Sequence, residues 1–244
     1  IPGIGPDLSL WIRGDYVVSD ATLNRFFSLH VIAVPLVLLG LVVAHILALH
    51  EVGSNNPDGV EIKKMKGTDG HPLDGIPFHP YYTVKDLVGV VVFLILFSVV
   101  IFFMPDMGGY FLEHPNFDPA DSMKTPLHIA PVWYFTPFYA ILRAVPDKLG
   151  GVLAMSGAIV ALFFLPWIDR SPVKSIRYRG WLFKLALVAF VIAFVILGYL
   201  GALPTTPSRT DLARICSMVY FAFFVVLPLL PIFEKIKPVP ERVT

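Results

Sequence analysis

"FFSLHVIAVPLVLLGLVVAHILALHEVG", residues 26–53, has no charged side chain before Glu51, yet it holds three histidines, His30, His45 and His50. The run is long enough to cross a ~30 Å hydrocarbon core, which takes roughly 20 apolar residues. An imidazole in hydrocarbon is costly to desolvate unless something binds it, and ionisable groups inside spans mark function by default. At ~1.5 Å and ~100° per residue, His30 and His45 lie about 22 Å apart along the helix axis and roughly 60° apart around it. Both therefore face broadly the same neighbours, one near each membrane surface. His50 points roughly 140° away from His45 and serves a separate site at the membrane boundary. Pro35 is expected to kink the helix and shift this phase. Spacing alone leaves three readings open: two cofactors stacked across the bilayer, a proton relay, or hydrogen-bonded core histidines.

The rest of the chain agrees with a membrane setting. Of 244 residues, 56% are hydrophobic and 15% charged, against about a quarter charged in soluble domains; mean hydropathy is +0.71. Apolar runs at about 26–50, 86–105, 149–168, 181–203 and 214–234 predict an all-α polytopic protein, a bundle of five transmembrane helices. Lys63, Lys64, Lys66 and Lys85 lie in the loop 51–85, Arg170, Lys174, Arg177 and Arg179 in 169–180, and Lys235, Lys237 and Arg242 in the tail 235–244. Alternation of five spans puts these on one side, the cytoplasmic or matrix side by the positive-inside rule. The opposite, outer side receives the segment 1–25, the loop 106–148 and the loop 202–213. The C-terminal transmembrane region runs over 86–234. Within the outer loop, "APVWYFTPFYAILRAVP" (130–146) is apolar, bounded by prolines and too short to span. It reads as an interfacial amphipathic helix lying against the bundle.

Several classes are excluded. A net charge of +1 without a basic tract gives no footing for nucleic acid. The single Cys216 allows no intrachain disulfide and no cysteine metal cluster, and reads as a buried spectator thiol. "IPGIGPDLSLWIRGDY" (1–16) has no initiator Met and no basic leader, so it is not a signal peptide. It reads as a surface segment of a chain cut from something longer.

"ATLNRFFSLH" (21–30), "HILALHEVGSNNP" (45–57), "IPFHPYYTVKD" (76–86) and "PVWYFTPFYAILRAVPDKLGGVLAM" (131–155) occur in this order. Together they resemble cytochrome b of the respiratory and photosynthetic cytochrome bc complexes, over nearly the whole chain. The resemblance implies electron transfer from quinol, oxidised on the outer side, through two b haems to quinone reduced on the inner side, coupled to proton translocation. His30 and His45 match the two axial haem-iron ligands of the family's fourth transmembrane helix. Their separation is one residue longer than in mitochondrial members and resembles the photosynthetic branch. The partner ligands are implied to come from an N-terminal segment, the N-terminal half of cytochrome b.

The resemblance also assigns the quinone sites. His50, Ser54, Phe78, Lys85 and Asp86 match the inner, quinone-reducing site. Read without it, Lys85 and Asp86 are an inside-positive flank and an N-cap carboxylate. Pro131, Val132, Trp133, Tyr134 and Tyr139 match the outer, quinol-oxidising site, with Tyr139 facing the quinol and Tyr134 beside it as the catalytic candidates. There the family's Pro-Glu-Trp-Tyr reads Pro131-Val132-Trp133-Tyr134, so the carboxylate proposed to accept a proton is absent. Glu113, Asp118, Asp121 or water would replace it. Ubiquinol and ubiquinone are the implied substrates. Implied partners are a Rieske iron–sulfur protein, a c-type cytochrome, a second copy of the complex and the lipid bilayer. The Val-containing motif resembles proteobacterial members and points to a bacterial inner membrane rather than a mitochondrial one. The rival readings are a proton-coupled transporter using His30, His45 and Asp86, and a non-redox scaffold.

Overall fold

The computed structural model describes every residue except 110–116, 120, 122, 125–128 and 244. The described residues form helices and connecting loops: α1 (Gly5–Arg13), α2 (Asp20–Ser28), a π-helical turn (Leu29–Ala33), α3 (Val34–Val52), α4 (Tyr81–Phe103), α5 (Thr136–Ala144), α6 (Lys148–Phe163), α7 (Leu165–Ile168), α8 (Trp181–Ala202), α9 (Pro207–Val226) and α10 (Leu230–Phe233). They divide into two units, residues 1–60 with 126–244, and residues 61–125. All five expected apolar runs fall on helices, and the chain is an all-α membrane protein.

Among the described residues, three stretches are long and apolar enough by themselves to cross a membrane: Asp20–Val52, Tyr81–Phe103 and Trp181–Ala202. The first starts earlier than position 26 because α2, the π-turn and α3 run on without a break. The other two expected runs are interrupted by proline. α6 is 16 residues long and breaks at Phe164, where Pro166 has no N–H to offer the preceding turn. α9 ends at Val226, ahead of Pro228, for the same reason. α9 begins at Pro207, earlier than the apolar run it carries, because Thr206 caps it through a side-chain bond to Arg209 N at 3.3 Å.

In the first unit, α5, α6, α8 and α9 pack around Ile141, Leu197, Tyr220 and Leu227, all fully buried. Small residues let the backbones close in. A Cβ on Gly201 would stand 2.0 Å from Thr136 O, and one on Gly151 2.6 Å from Leu142 O, so neither position takes a side chain. Phe190 stands 4.9 Å from the Tyr220 ring and 4.7 Å from the Phe223 ring. The Tyr220 hydroxyl donates to Ala158 O at 2.8 Å, satisfying a polar tip in a dry interior. Cys216 is buried in this core, as expected of a spectator thiol. The interfacial helix expected in 130–146 is α5, and it is an integral part of the packing. No residue of α3 or of the π-turn is buried. Within this unit, the histidine-bearing helix presents an apolar surface all round.

Candidate functional site

The helix carrying the three histidines is regular except at one turn. Val34 N bonds to Leu29 O, five residues back, making Leu29–Ala33 a π-turn that contains His30. Pro35 explains its place: the ring lacks an N–H and crowds the carbonyl of Val31, so the chain widens just before it. Where Pro35 is expected to kink the helix, the structure has this wide turn. A π-turn takes up one residue more than an α-turn. It brings the fifteen positions between His30 and His45 back to the phase of fourteen, about 40° apart around the axis instead of about 60° on the other side. Both rings stay on one broad face and both are exposed. That open, unobstructed face suits a flat ligand at each imidazole.

The donor chemistry fits a haem in one respect and is incomplete in another. Imidazole is a good axial ligand for haem iron, and each ring is free of protein obstruction. Among the described residues no three or more His, Cys, Asp or Glu converge.

His50 lies in the last turn of α3, and Ser54 follows the cap Gly53, whose N–H bonds to Leu49 O at 2.7 Å. The loop then closes on itself, with Asn56 Nδ2 donating to Val60 O at 2.7 Å and Val60 N to Asn56 Oδ1 at 3.1 Å. Next comes Asp58, a buried carboxylate that sequence reading missed. Its Oδ1 accepts from Arg177 Nη1 at 3.0 Å and from the Tyr178 hydroxyl at 2.8 Å. That hydrogen bond to a carboxylate raises the Tyr178 phenol above its ordinary pKa, with smaller contributions from desolvation and the carboxylate's charge. Arg179 is buried, pairs with Asp169 and stacks on Phe183 at 4.0 Å.

Phe78, Lys85 and Asp86 belong to the second unit. Phe78 stacks on Tyr82 at 5.9 Å, and Lys85 Nζ lies 5.9 Å from the same ring. Phe78 and Lys85 thus meet around one tyrosine, while Asp86 lies exposed on the first turns of α4. Asp118 and Asp121 are also exposed. Glu113, His114 and His128 lie outside the described residues.

On the outer motif, Pro131 is half-buried, and Val132, Trp133 and Tyr134 are exposed. A turn bond from Phe135 N to Val132 O at 2.8 Å and one from Thr136 Oγ1 to Trp133 O at 2.6 Å lead the motif into α5. Trp133 and Tyr134 meet edge to face at 5.6 Å. Tyr139, one α5 turn further on, is half-buried beneath Arg143. The Arg143 guanidinium donates to Leu203 O at 3.1 Å, Leu200 O at 2.7 Å and Gly201 O at 3.1 Å. It thereby neutralises the carbonyl end of α8, where a cation is favoured. Arg214 Nε does the same for Ala144 O at the end of α5, at 2.9 Å. Arg143 was also missed; its only signal is its place four residues after Tyr139, on the same helix face.

Comparison with known proteins identifies the family. Residues 1–110 match the family model described as Cytochrome b(N-terminal)/b6/petB, and residues 119–221 match Cytochrome b(C-terminal)/b6/petD. Cytochrome b of Allochromatium vinosum is 60% identical over the whole chain, and the match covers 61% of that protein. Cytochrome b of Rickettsia bellii is 48% identical over 99% of the chain and 58% of its own length. A solved chain of a hyperthermophilic respiratory Complex III superposes with a TM-score of 0.83 at 40% identity, covering 95% of this chain and 56% of that one. The chain spans about three-fifths of the curated relatives it matches. With both halves of the family matched in order and the paired histidines on one span, the chain belongs to the cytochrome b family.

Proposed function

We propose that the chain is the C-terminal part of the cytochrome b subunit of a quinol–cytochrome c reductase. It serves to pass electrons from ubiquinol, oxidised on the outer side, to ubiquinone, reduced on the inner side, with proton translocation. His30 and His45 would each hold the iron of one haem b, with the partner ligands supplied by the N-terminal half of cytochrome b. When bound, the haems would supply one-electron transfer. The observation that carries the reading is the pair His30 and His45 exposed on one broad face of a single span, about 40° apart around its axis across the π-turn.

The residues then divide the work. Tyr139 orients the quinol through its hydroxyl, with Tyr134 and Trp133 as the aromatic wall and Pro131 starting the turn into α5. Val132 gives contact area and no proton acceptor, so the quinol proton leaves through an acidic group of the outer loop or through water. On the inner side, His50 and Asp86 are the titratable groups able to deliver protons, with Lys85, next to Asp86 in the chain, as the cation and Ser54 and Phe78 as further contacts. A Rieske iron–sulfur protein, a c-type cytochrome and a second copy of the complex are the partners. The lysine- and arginine-rich loops face the inner side of a bacterial plasma membrane, in keeping with the proteobacterial relatives.

The test is a reduced-minus-oxidised visible spectrum of the complex. A b-type haem band, halved by either His30→Leu or His45→Leu, is the expected result. A complex without that band would instead support a histidine proton relay.

A further inference from the structure

Asp58 is the one buried carboxylate among the described residues, 2% exposed, in a loop whose neighbours are mostly in contact with solvent. The chemistry assigned above makes no use of it. Its two donors, Arg177 and Tyr178, come from the far end of the sequence, and a third tie runs beside them, from Ser175 Oγ to Pro57 O at 2.6 Å. Gly59 sits at φ +69 and so close to this segment that a Cβ would stand 3.0 Å from Lys174 Cβ and 3.1 Å from Ser175 N. The 175–178 segment is itself anchored. Lys237 N donates to Tyr178 O at 2.8 Å, and Glu234 Oε2 accepts from Phe183 N at 3.1 Å, capping the start of α8. The loop 53–60 is thus bolted to a fixed hub.

The other end of that loop is α3. From His50 the chain passes through the capped Gly53 to Ser54, then through the ring closed by Asn56, and reaches Asp58. None of these steps leaves a long free stretch. A carboxylate taken out of water must keep its partners, so the loop has one docked position. Because Arg177 is half exposed, its attraction contributes little net stability. What the pair determines is register.

We propose that Asp58 is a positioning residue for the inner quinone site: docked on Arg177 and Tyr178, it sets the exit of α3 and with it the placement of His50 and Ser54. The proposal rests on the reading of His50 and Ser54 as quinone-contacting residues.

The experiment compares the whole complex carrying Asp58→Ala, Asp58→Asn, Tyr178→Phe or His50→Ala. Each is assayed for quinone-driven reoxidation at the inner site and for quinol oxidation at the outer site. Asp58→Ala should raise the apparent KM for quinone roughly five-fold to ten-fold, as expected for a contacting group displaced rather than deleted. Its inner-site kcat and outer-site rate should stay within about two-fold of the parent. Asp58→Asn, which still accepts from Tyr178, should fall between parent and Ala, and Tyr178→Phe should resemble it. Should the Ala variant fail to assemble, these two carry the same comparison. An unchanged KM in the Asp58 and Tyr178 variants, or equal losses at both sites, overturns the proposal. If His50→Ala alone raises KM, only the role of Asp58 falls; if His50→Ala also leaves KM unchanged, the inner-site reading falls with it.

Discussion

The guanidinium carbon of Arg143 lies 4.4 Å from the centre of the Tyr139 ring, while its nitrogens hold three carbonyls at the end of α8. The tyrosine assigned to the quinol is therefore fixed to the far end of a membrane helix by one side chain. Lysine cannot reproduce this, because it offers a compact ammonium in place of a planar fork. Arg143→Lys should cost about 1.5–3 kcal/mol, the range for losing a hydrogen bond from a charged donor. It should also slow outer-site quinol oxidation while leaving inner-site quinone reduction unchanged. Thermal unfolding of the complex in detergent and single-turnover haem reduction check both parts. Parental values in the two assays would mean the stack positions nothing.

Tyr139→Ala should slow quinol oxidation more than Val132→Ala does. The phenol offers a hydroxyl and a ring held beneath Arg143, whereas Val132 is an exposed aliphatic side chain in the turn leading into α5. Single-turnover haem reduction in the two variants decides the order. Equal effects would remove Tyr139 from the polar wall of the site.

Much of this architecture was legible in the chain because hydrocarbon imposes long apolar runs and proline punctuates them. The run 86–105 became Tyr81–Phe103, and 181–203 became Trp181–Ala202, within a few residues. The start of α9 was hidden because Arg209, Asp211 and Arg214 make its first turns polar, although Thr206-Pro207 is an N-cap followed by a first-turn proline. The π-turn left no trace in hydropathy, since an all-round apolar helix has no polar face whose slip would reveal an extra residue. Only Pro35 hinted at it. The Asp58–Arg177 pair joins residues 119 positions apart, and neither residue type nor local spacing signals such a contact.

Tyr178 gives the inner hub a defined pH dependence. A phenol whose folded pKa lies above its ordinary value of 10.0 favours the folded state in its protonated form. That contribution is complete below the unfolded pKa and is lost as pH rises through the folded one. The docking of loop 53–60 should therefore loosen on the alkaline side of pH 10 and show no such change on the acid side of it from this group. Proteolytic nicking of the loop, followed from pH 9 to 11, should rise in the parent protein. In Tyr178→Phe it should already be raised at pH 9 and climb less steeply.

The sidedness argument makes a prediction of its own. Lysines and arginines concentrate in 51–85, 169–180 and the tail, so Lys64 should be labelled from the inner face and Lys124 from the outer face. Single-cysteine variants at these two positions, in a Cys216→Ala background and probed with a membrane-impermeant reagent in oriented vesicles, provide the reading. Labelling of both from one face would overturn the five-span alternation.

The π-turn yields the sharpest test of the histidine pair. If Leu29–Ala33 exists to absorb one residue between His30 and His45, then deleting Ile32 should convert the wide turn to an ordinary α-turn and leave the two rings in their present phase. Deleting Val42, in the regular part of α3, removes a residue where none is spare. It should swing His45 by about 100° relative to His30 and draw it about 1.5 Å closer. In the complex, the first deletion should keep both b-type haem signals and the second should lose one. The comparison controls for shortening, since both variants lose one apolar residue from the same span. Loss of a haem in the Ile32 deletion, with retention in the Val42 deletion, would show that the wide turn sets the phase of some other contact on this helix.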